Sequence, residues 1–257
     1  MTVSYVVSGF AVGLLVGLTG VGGGSLMTPL LTLLFGIHPS VAVGTDLAFA
    51  SATKTAGTFA HRFKGTVHWD IVRRLSLGAL PVALVTTLLL KHFGAVSEGI
   101  SLVIRYSIAV SVLLTVVALL FRKRMQTWLV AHPERQLQGA ALRNATIAAG
   151  AVLGALVTIS SIGAGAVGAT LLVLLYPRLM PAEIAGTDIA YAVPLTAVAA
   201  FGHWWLGSID WVLLGSLLLG SVPGITIGSL AARAVPERFL RGLLAITLTS
   251  VAVKLIW

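Results

Sequence analysis

The sequence predicts an all-α polytopic membrane protein made of two inverted-topology repeats, each of about five helical segments, some of them broken by glycine and short enough to be re-entrant. Three observations carry this reading. Of the 257 residues, 57% are hydrophobic and only 10% charged, against about 25% charged in an ordinary soluble domain. The apolar stretches approach the ~20 residues with which a helix crosses a bilayer. The chain also contains itself twice. The gapless offset that carries Pro39 onto Pro181 also carries Gly44-Thr45-Asp46 onto Gly186-Thr187-Asp188, His61 onto His203, Trp69 onto Trp211, Gly78 onto Gly220 and Pro81 onto Pro223. These are not common apolar filler, so chance is a poor explanation. A duplicated apolar chain is the architecture of secondary transporters.

Taken in order, the first repeat has apolar segments at 3–19, 25–36, 40–61, 70–91 and 100–121. The second has them at 143–161, 166–176, 182–205, 211–232 and 239–257. All are predicted helical, because a lipid-exposed strand would leave backbone groups unpaired. The N-terminal run lacks a basic leader and an Ala-x-Ala-like cleavage site, so it reads as a retained first helix. Gly20-Val21-Gly22-Gly23-Gly24 separates the first two segments. Residues 1–124 form the first repeat, 125–142 a cytoplasmic linker and 143–257 the second repeat.

Charge sets the orientation. Arg62, Lys64, Arg73 and Arg74 crowd the third connection, and Arg122, Lys123 and Arg124 follow the fifth helix. In the second repeat the third connection, Trp204 to Asp210, has no Lys or Arg, and Arg233, Arg238 and Arg241 stand in the fourth. The bias has moved by one loop, so the second repeat is expected upside down, with both termini outside. The same bias accounts for the net charge of +9 without a nucleic-acid partner. Absence of cysteine excludes disulfides, thiolate metal sites and cysteine catalysis. The Asn144-Ala145-Thr146 sequon falls where a helix enters the membrane and is read as accidental.

Glycine segments interrupt a helix and expose backbone groups, which a membrane tolerates only inside protein or along a wet cavity. Gly20 to Gly24 with Ser25 is one such segment, and Ser160-Ser161-Ile162-Gly163-Ala164-Gly165 is its counterpart. A half-helix after either would aim its N–H groups at an anion; close helix packing through small residues is the competing reading. Gly163-x-Gly165-x-x-Gly168 has the letters of a dinucleotide fingerprint but no βαβ context, and no cofactor is expected. On the third helix, Ala50, Thr53 and Gly57 fall within about 40° of Asp46, His61 near 60° and Lys54 near 80°, making one small, polar face. A charge at the bilayer centre costs at least ~2.5–3.5 kcal/mol, so it usually faces a cavity or a partner. Lys54, near mid-helix, is the sharpest candidate for an anion contact; its repeat equivalent is Thr196. Asp46 stands about 12 Å from it along the axis, too far to neutralise it directly. Asp46 and Asp188 are candidate proton carriers, with capping or hydrogen bonding near helix starts as the alternative. His61 and His203 are read either as proton-handling groups or as interfacial histidines. Trp69, Trp204, Trp205 and Trp211 read as interface anchors.

At these residues the chain resembles the sulfite exporter TauE/SafE family over nearly its whole length. The family's glycine triplet, proline and Val-Gly-Thr step stand here as Gly22-Gly23-Gly24, Pro29 and Val43-Gly44-Thr45. Its Ala-His and Gly-x-Val-Asp-Trp pattern stands as Ala60-His61 and Gly65-Thr66-Val67-His68-Trp69, echoed by Gly202-His203 and Gly207-Ser208-Ile209-Asp210-Trp211. His68 replaces the usual Asp, and the second glycine cluster is degraded. The resemblance implies transport of sulfite, sulfoacetate or related sulfonates across a bacterial-type inner membrane, most simply as export.

The expected function is therefore a proton-coupled secondary transporter of small sulfur oxyanions. Thr19, Gly22, Gly23, Gly24, Ser25, Thr45, Lys54, Ser161 and Thr187 would face the anion, and Asp46, Asp188, His61 and His203 would couple or gate. Alternatives are an anion channel or uniporter, or an importer of another small anion. No His-Glu-x-x-His, nucleophile–base pair or P-loop is present, so neither an enzyme nor direct ATP drive is expected. The expected partners are the anion and the lipid bilayer, with no metal.

Overall fold

The computed structural model describes residues 2–19, 24–63, 65–94 and 97–231, with 242, 246, 248–250 and 253–254 beyond them. The described residues are helical with short connections and contain no strand. In chain order the helices are α1 (Thr2–Thr19), α2 (Gly24–Leu34), α3 (Pro39–Phe63), α4 (Trp69–Phe93), α5 (Glu98–Ala131), α6 (Gly139–Ser160), α7 (Ala166–Leu175), α8 (Pro181–Trp205) and α9 (Trp211–Ala231). A single 3₁₀ turn, Pro133–Arg135, lies between α5 and α6. The segment expected at 239–257 falls mostly outside the described residues.

Five helices, α4, α5, α6, α8 and α9, are long and apolar enough to cross a membrane. α3 has the length but carries Asp46 and Lys54. It pays for that polarity by lying inside, with Asp46 fully buried and Lys54 8% exposed. α3 and α8, the third helices of the two halves, pack on each other at the centre. Lipid-facing ridges lie outside them, among them Leu84, Val85, Leu88 and Leu89 on α4 and Leu113, Leu114 and Val117 on α5. Trp69, Trp204, Trp205 and Trp211 are each more than half exposed, as interface anchors require, and the Lys91 ammonium sits over the Trp205 ring at 3.3 Å.

The two halves are laced by exchange. α1 packs on α9, and α6 on α4. Both pairings are glycine-mediated, at equivalent places. A Cβ on Gly150 or Gly154 would strike the backbone of Leu75 or Ala79; on Gly9 or Gly13 it would strike Leu217 or Ser221. On the opposite faces Gly78 abuts the Ile147 carbonyl and Gly220 the Val6 carbonyl. Lipid offers no hydrophobic drive for helix association, so such close backbone approach is what holds membrane helices together. Two hydrogen bonds repeat the exchange: the His68 N–H donates to Thr187 Oγ1, and the Asp210 N–H to Thr45 Oγ1, each at 3.1 Å.

One expected boundary is corrected. The fifth helix does not stop at 121. α5 runs through Arg122, Lys123 and Arg124 to Ala131, and it takes the first part of the expected 125–142 linker with it. The extension has its own ties: Gln126 Nε2 donates to the Pro177 carbonyl at 3.1 Å, Trp128 stacks on His132, and Gln136 Nε2 reaches back to the Leu129 carbonyl. Pro133 ends it, since proline cannot continue the hydrogen-bond ladder.

Candidate functional site

The site forms where α3, α8 and the break between α6 and α7 meet. α6 ends at Ser160, and Ser161 after it adopts the left-handed conformation (φ 59°). Gly163 (φ 134°) and Gly165 (φ 143°) carry the chain through conformations that favour glycine. α7 then starts at Ala166, with the Gly168 N–H donating to the Gly163 carbonyl at 2.8 Å. The expected second break is thus real even though Ala164 and Ala166 replace glycines: glycine stands at the two positions whose backbone needs it.

Lys54 crosses from α3 to this break. Its Nζ donates to the Ala164 carbonyl at 2.7 Å, and the ammonium lies within electrostatic reach of both Asp188 and Asp46. Asp188 on α8 lies against Gly168, where any Cβ would meet its Oδ1. A protein carboxylate therefore occupies the N-terminal end of α7, where unpaired N–H groups and the helix dipole favour negative charge. Asp46 stands similarly toward α2: its Oδ2 accepts from Thr28 Oγ1 at 2.5 Å, and Ser161 approaches the same carboxyl from the break. Each aspartate thus stands beside the start of a neighbouring helix rather than at that of its own, and Asp46 is hydrogen-bonded there.

The cluster is incompletely satisfied. Asp46 Oδ1, Asp188 Oδ1, Ser161 Oγ and Tyr191 OH are buried without a hydrogen-bond partner. Buried polar atoms are nearly always paired, so this concentration sets the cluster apart from the rest of the core. Tyr191, one turn from Asp188 and fully buried, was not anticipated from sequence. Aligning the halves sets it opposite Phe49, and that mismatch is the signal that could have found it.

The structure brings Lys54, Asp46, Asp188 and Ser161 together and leaves other expected residues apart. Thr45 and Thr187 are buried with their hydroxyl oxygens engaged by the backbone of the opposite half. His203 is not interfacial but fully buried. Its Nε2 lies 3.0 Å from the Thr158 carbonyl, and its Nδ1 has no partner. Fifteen residues separate it from Asp188, about 22 Å along α8. Gly22 and Gly23 lie outside the described residues, as do the side chains of Thr19, Ser25 and His61; Gly24 begins α2. No group of three or more metal-ligating side chains occurs among the described residues.

Comparison with known proteins agrees with this architecture. The family model for the sulfite exporter TauE/SafE matches residues 5–255. The chain is 36% identical over 218 residues to the probable membrane transporter protein YjnA of Bacillus subtilis, covering 85% of each. It is 32% identical over 199 residues to a probable membrane transporter protein of Xylella fastidiosa, covering 76% of this chain and 69% of that one. YunE of B. subtilis, also a probable membrane transporter protein, is 43% identical over 70 residues, about a quarter of each chain. No solved structure matches. By the extent of these matches and its multi-pass helical build, this chain belongs to the sulfite exporter TauE/SafE family of membrane transporters.

Proposed function

We propose that the protein is a secondary transporter that exports small sulfur oxyanions such as sulfite or sulfoacetate across the inner membrane, coupled to protons by alternating access. The carrying observation is the buried trio of Lys54, Asp46 and Asp188 at a helix break, with oxygens left unpartnered. Ionisable residues inside a membrane mark substrate and proton paths, and broken helices at the junction of two repeats are where such transporters bind.

The geometry suggests how proton and anion would be linked. With all three groups ionised, one cation faces two carboxylates, and an incoming anion meets repulsion. Asp188 holds the place at the start of α7 that an oxyanion would take. Protonating Asp188 removes its charge and frees Lys54 and the α7 N–H groups for the substrate. Anion and proton then bind together and leave together. Ser161 Oγ and Tyr191 OH stand nearby as further donors for sulfonate oxygens. The sulfur chemistry comes from the family resemblance; the trio itself asks only for a small anion.

Flux in proteoliposomes tests this, with sulfite, sulfoacetate and a carboxylate control, with and without an imposed pH gradient. The expected result is flux selective for the sulfur anions and stimulated by the gradient in the wild type. In Asp188→Asn the flux should be insensitive to the gradient. Gradient stimulation that survives in Asp188→Asn would remove Asp188 from coupling, and wild-type flux indifferent to the gradient would leave a uniporter or channel.

A further inference from the structure

A second charged site lies outside the trio, at the membrane boundary. The N-terminal turns of α4 and α6 enclose a pocket of about 460 Å³ lined by Asp70, Arg73, Arg74, Leu77, Arg143 and Ile147, with Asn144 at its rim. Three guanidinium groups thus converge from two helices that are far apart in sequence. None has an ion-pair or hydrogen-bond partner among the described residues, and neither has the one carboxylate present, Asp70. Three cations against one anion leave a net positive cup. Loop arginines suffice to orient a membrane protein; that role does not require Arg143 to face the same pocket as Arg73 and Arg74, which follows from the α4–α6 packing.

Position identifies the ligand. Trp69, immediately before Asp70, is 52% exposed and marks the interface. Leu77, at the inner end of the pocket, is 59% exposed and leads onto the lipid-facing ridge of Leu84 and Leu88. The lining therefore runs from arginines beside the interface to an exposed leucine further along α4. Basic pockets of this kind between membrane helices suit lipid headgroups, and arginine binds phosphate in forked, charge-assisted pairs. The other half supplies an internal control. The α1–α9 pair is built on equivalent glycines, and at the places of Arg73, Arg74 and Arg143 it has Gly215, Ser216 and Thr2. The arginines are not demanded by the helix packing.

We propose that the α4–α6 pocket binds the phosphate of an anionic phospholipid headgroup, with the acyl chain running along the α4 ridge. Native mass spectrometry of the full-length protein would be combined with thermal unfolding, with phosphatidylglycerol, phosphatidylcholine or inorganic phosphate added. The wild type should retain phosphatidylglycerol in preference to phosphatidylcholine and unfold at higher temperature with it. Each Arg→Gln change should weaken retention roughly fivefold, and the triple variant R73Q/R74Q/R143Q about a hundredfold. The three side chains sit at a solvent rim, and a monodisperse triple variant with unchanged sulfite flux in neutral lipid would show that the fold is intact. Equal retention by the triple variant, or equal retention of phosphatidylcholine, would overturn the site. Stabilisation by inorganic phosphate as large as that by the lipid would overturn the lipid assignment.

Discussion

The α4–α6 and α1–α9 pairs are the same piece of architecture seen twice, and they differ where chemistry is concerned. Gly78 and Gly220 abut a carbonyl of the opposite helix in the same way, and Gly150–Gly154 repeats Gly9–Gly13. Yet one pair carries an arginine-lined cup and the other carries none. The third helices tell the same story: the halves share Gly-Thr-Asp, whereas Lys54 faces Thr196 and Phe49 faces Tyr191 in the alignment. Position 68 is a third case. Asp210 caps α9 by accepting from the Val212 and Leu213 N–H groups at 3.0 and 2.9 Å. His68 makes no such cap for α4 and instead pairs with Glu183 at 3.1 Å. What the halves share holds the backbone together and supplies the two aspartates, while the lysine, the buried phenol and the arginine cup lie where they diverge.

The strongest way to break this comparison is at the shared glycines. Gly78→Val and Gly220→Val each drive a side chain into a backbone carbonyl. Each should cost upwards of ~3 kcal/mol, the upper end of overpacking penalties, and give aggregated or poorly expressed protein by size-exclusion chromatography in detergent. If only one of the two does so, the pairs are not energetically equivalent.

Next come the diverged positions. Lys54→Met strips the cation from two buried carboxylates and should lower sulfite flux by about a hundredfold, the equivalent of ~2.7 kcal/mol. Thr196→Val, its counterpart, should change flux less than about threefold, because that hydroxyl back-bonds within α8 to the Ala192 and Val193 carbonyls. Comparable losses in both would mean that the halves contribute equally to binding. The smallest effect is expected at the caps. Asp210→Ala should cost about 1 kcal/mol of stability by thermal unfolding, and His68→Ala less than half of that, since its partly exposed pair with Glu183 is screened. The reverse order would make the His68–Glu183 bridge a real tie between halves.

Much of the fold was legible because helix limits in a membrane are written in residue types that rarely sit elsewhere. Pro39 and Pro181 begin α3 and α8, and Trp69 and Trp211 begin α4 and α9. Charge does not mark the end of α5, because Arg122 to Arg124 end only the apolar stretch while the helix goes on to Ala131. The Gly-x-x-x-Gly spacings at Gly9–Gly13 and Gly150–Gly154 were in plain view, but their use depends on which helix lies opposite, and periodicity along one helix does not carry that. Lys54 and the aspartates could be picked out from their cost in a membrane. Their true partners could not, because Ala164 offers a backbone carbonyl, which looks alike at every residue.

The exchanged pairing also has a consequence in time. α1 leaves the ribosome before α9, yet the surface that its glycines fit, at Leu217 and Ser221, belongs to that later helix. At the ~5–20 residues per second of synthesis, α1 waits on the order of 10–40 s in the membrane with its packing face unmatched. α4 waits a far shorter interval for α6. Of the two equivalent pairs α1–α9 is therefore the later to close, and α1 spends that interval exposed to mispairing and to quality-control proteases.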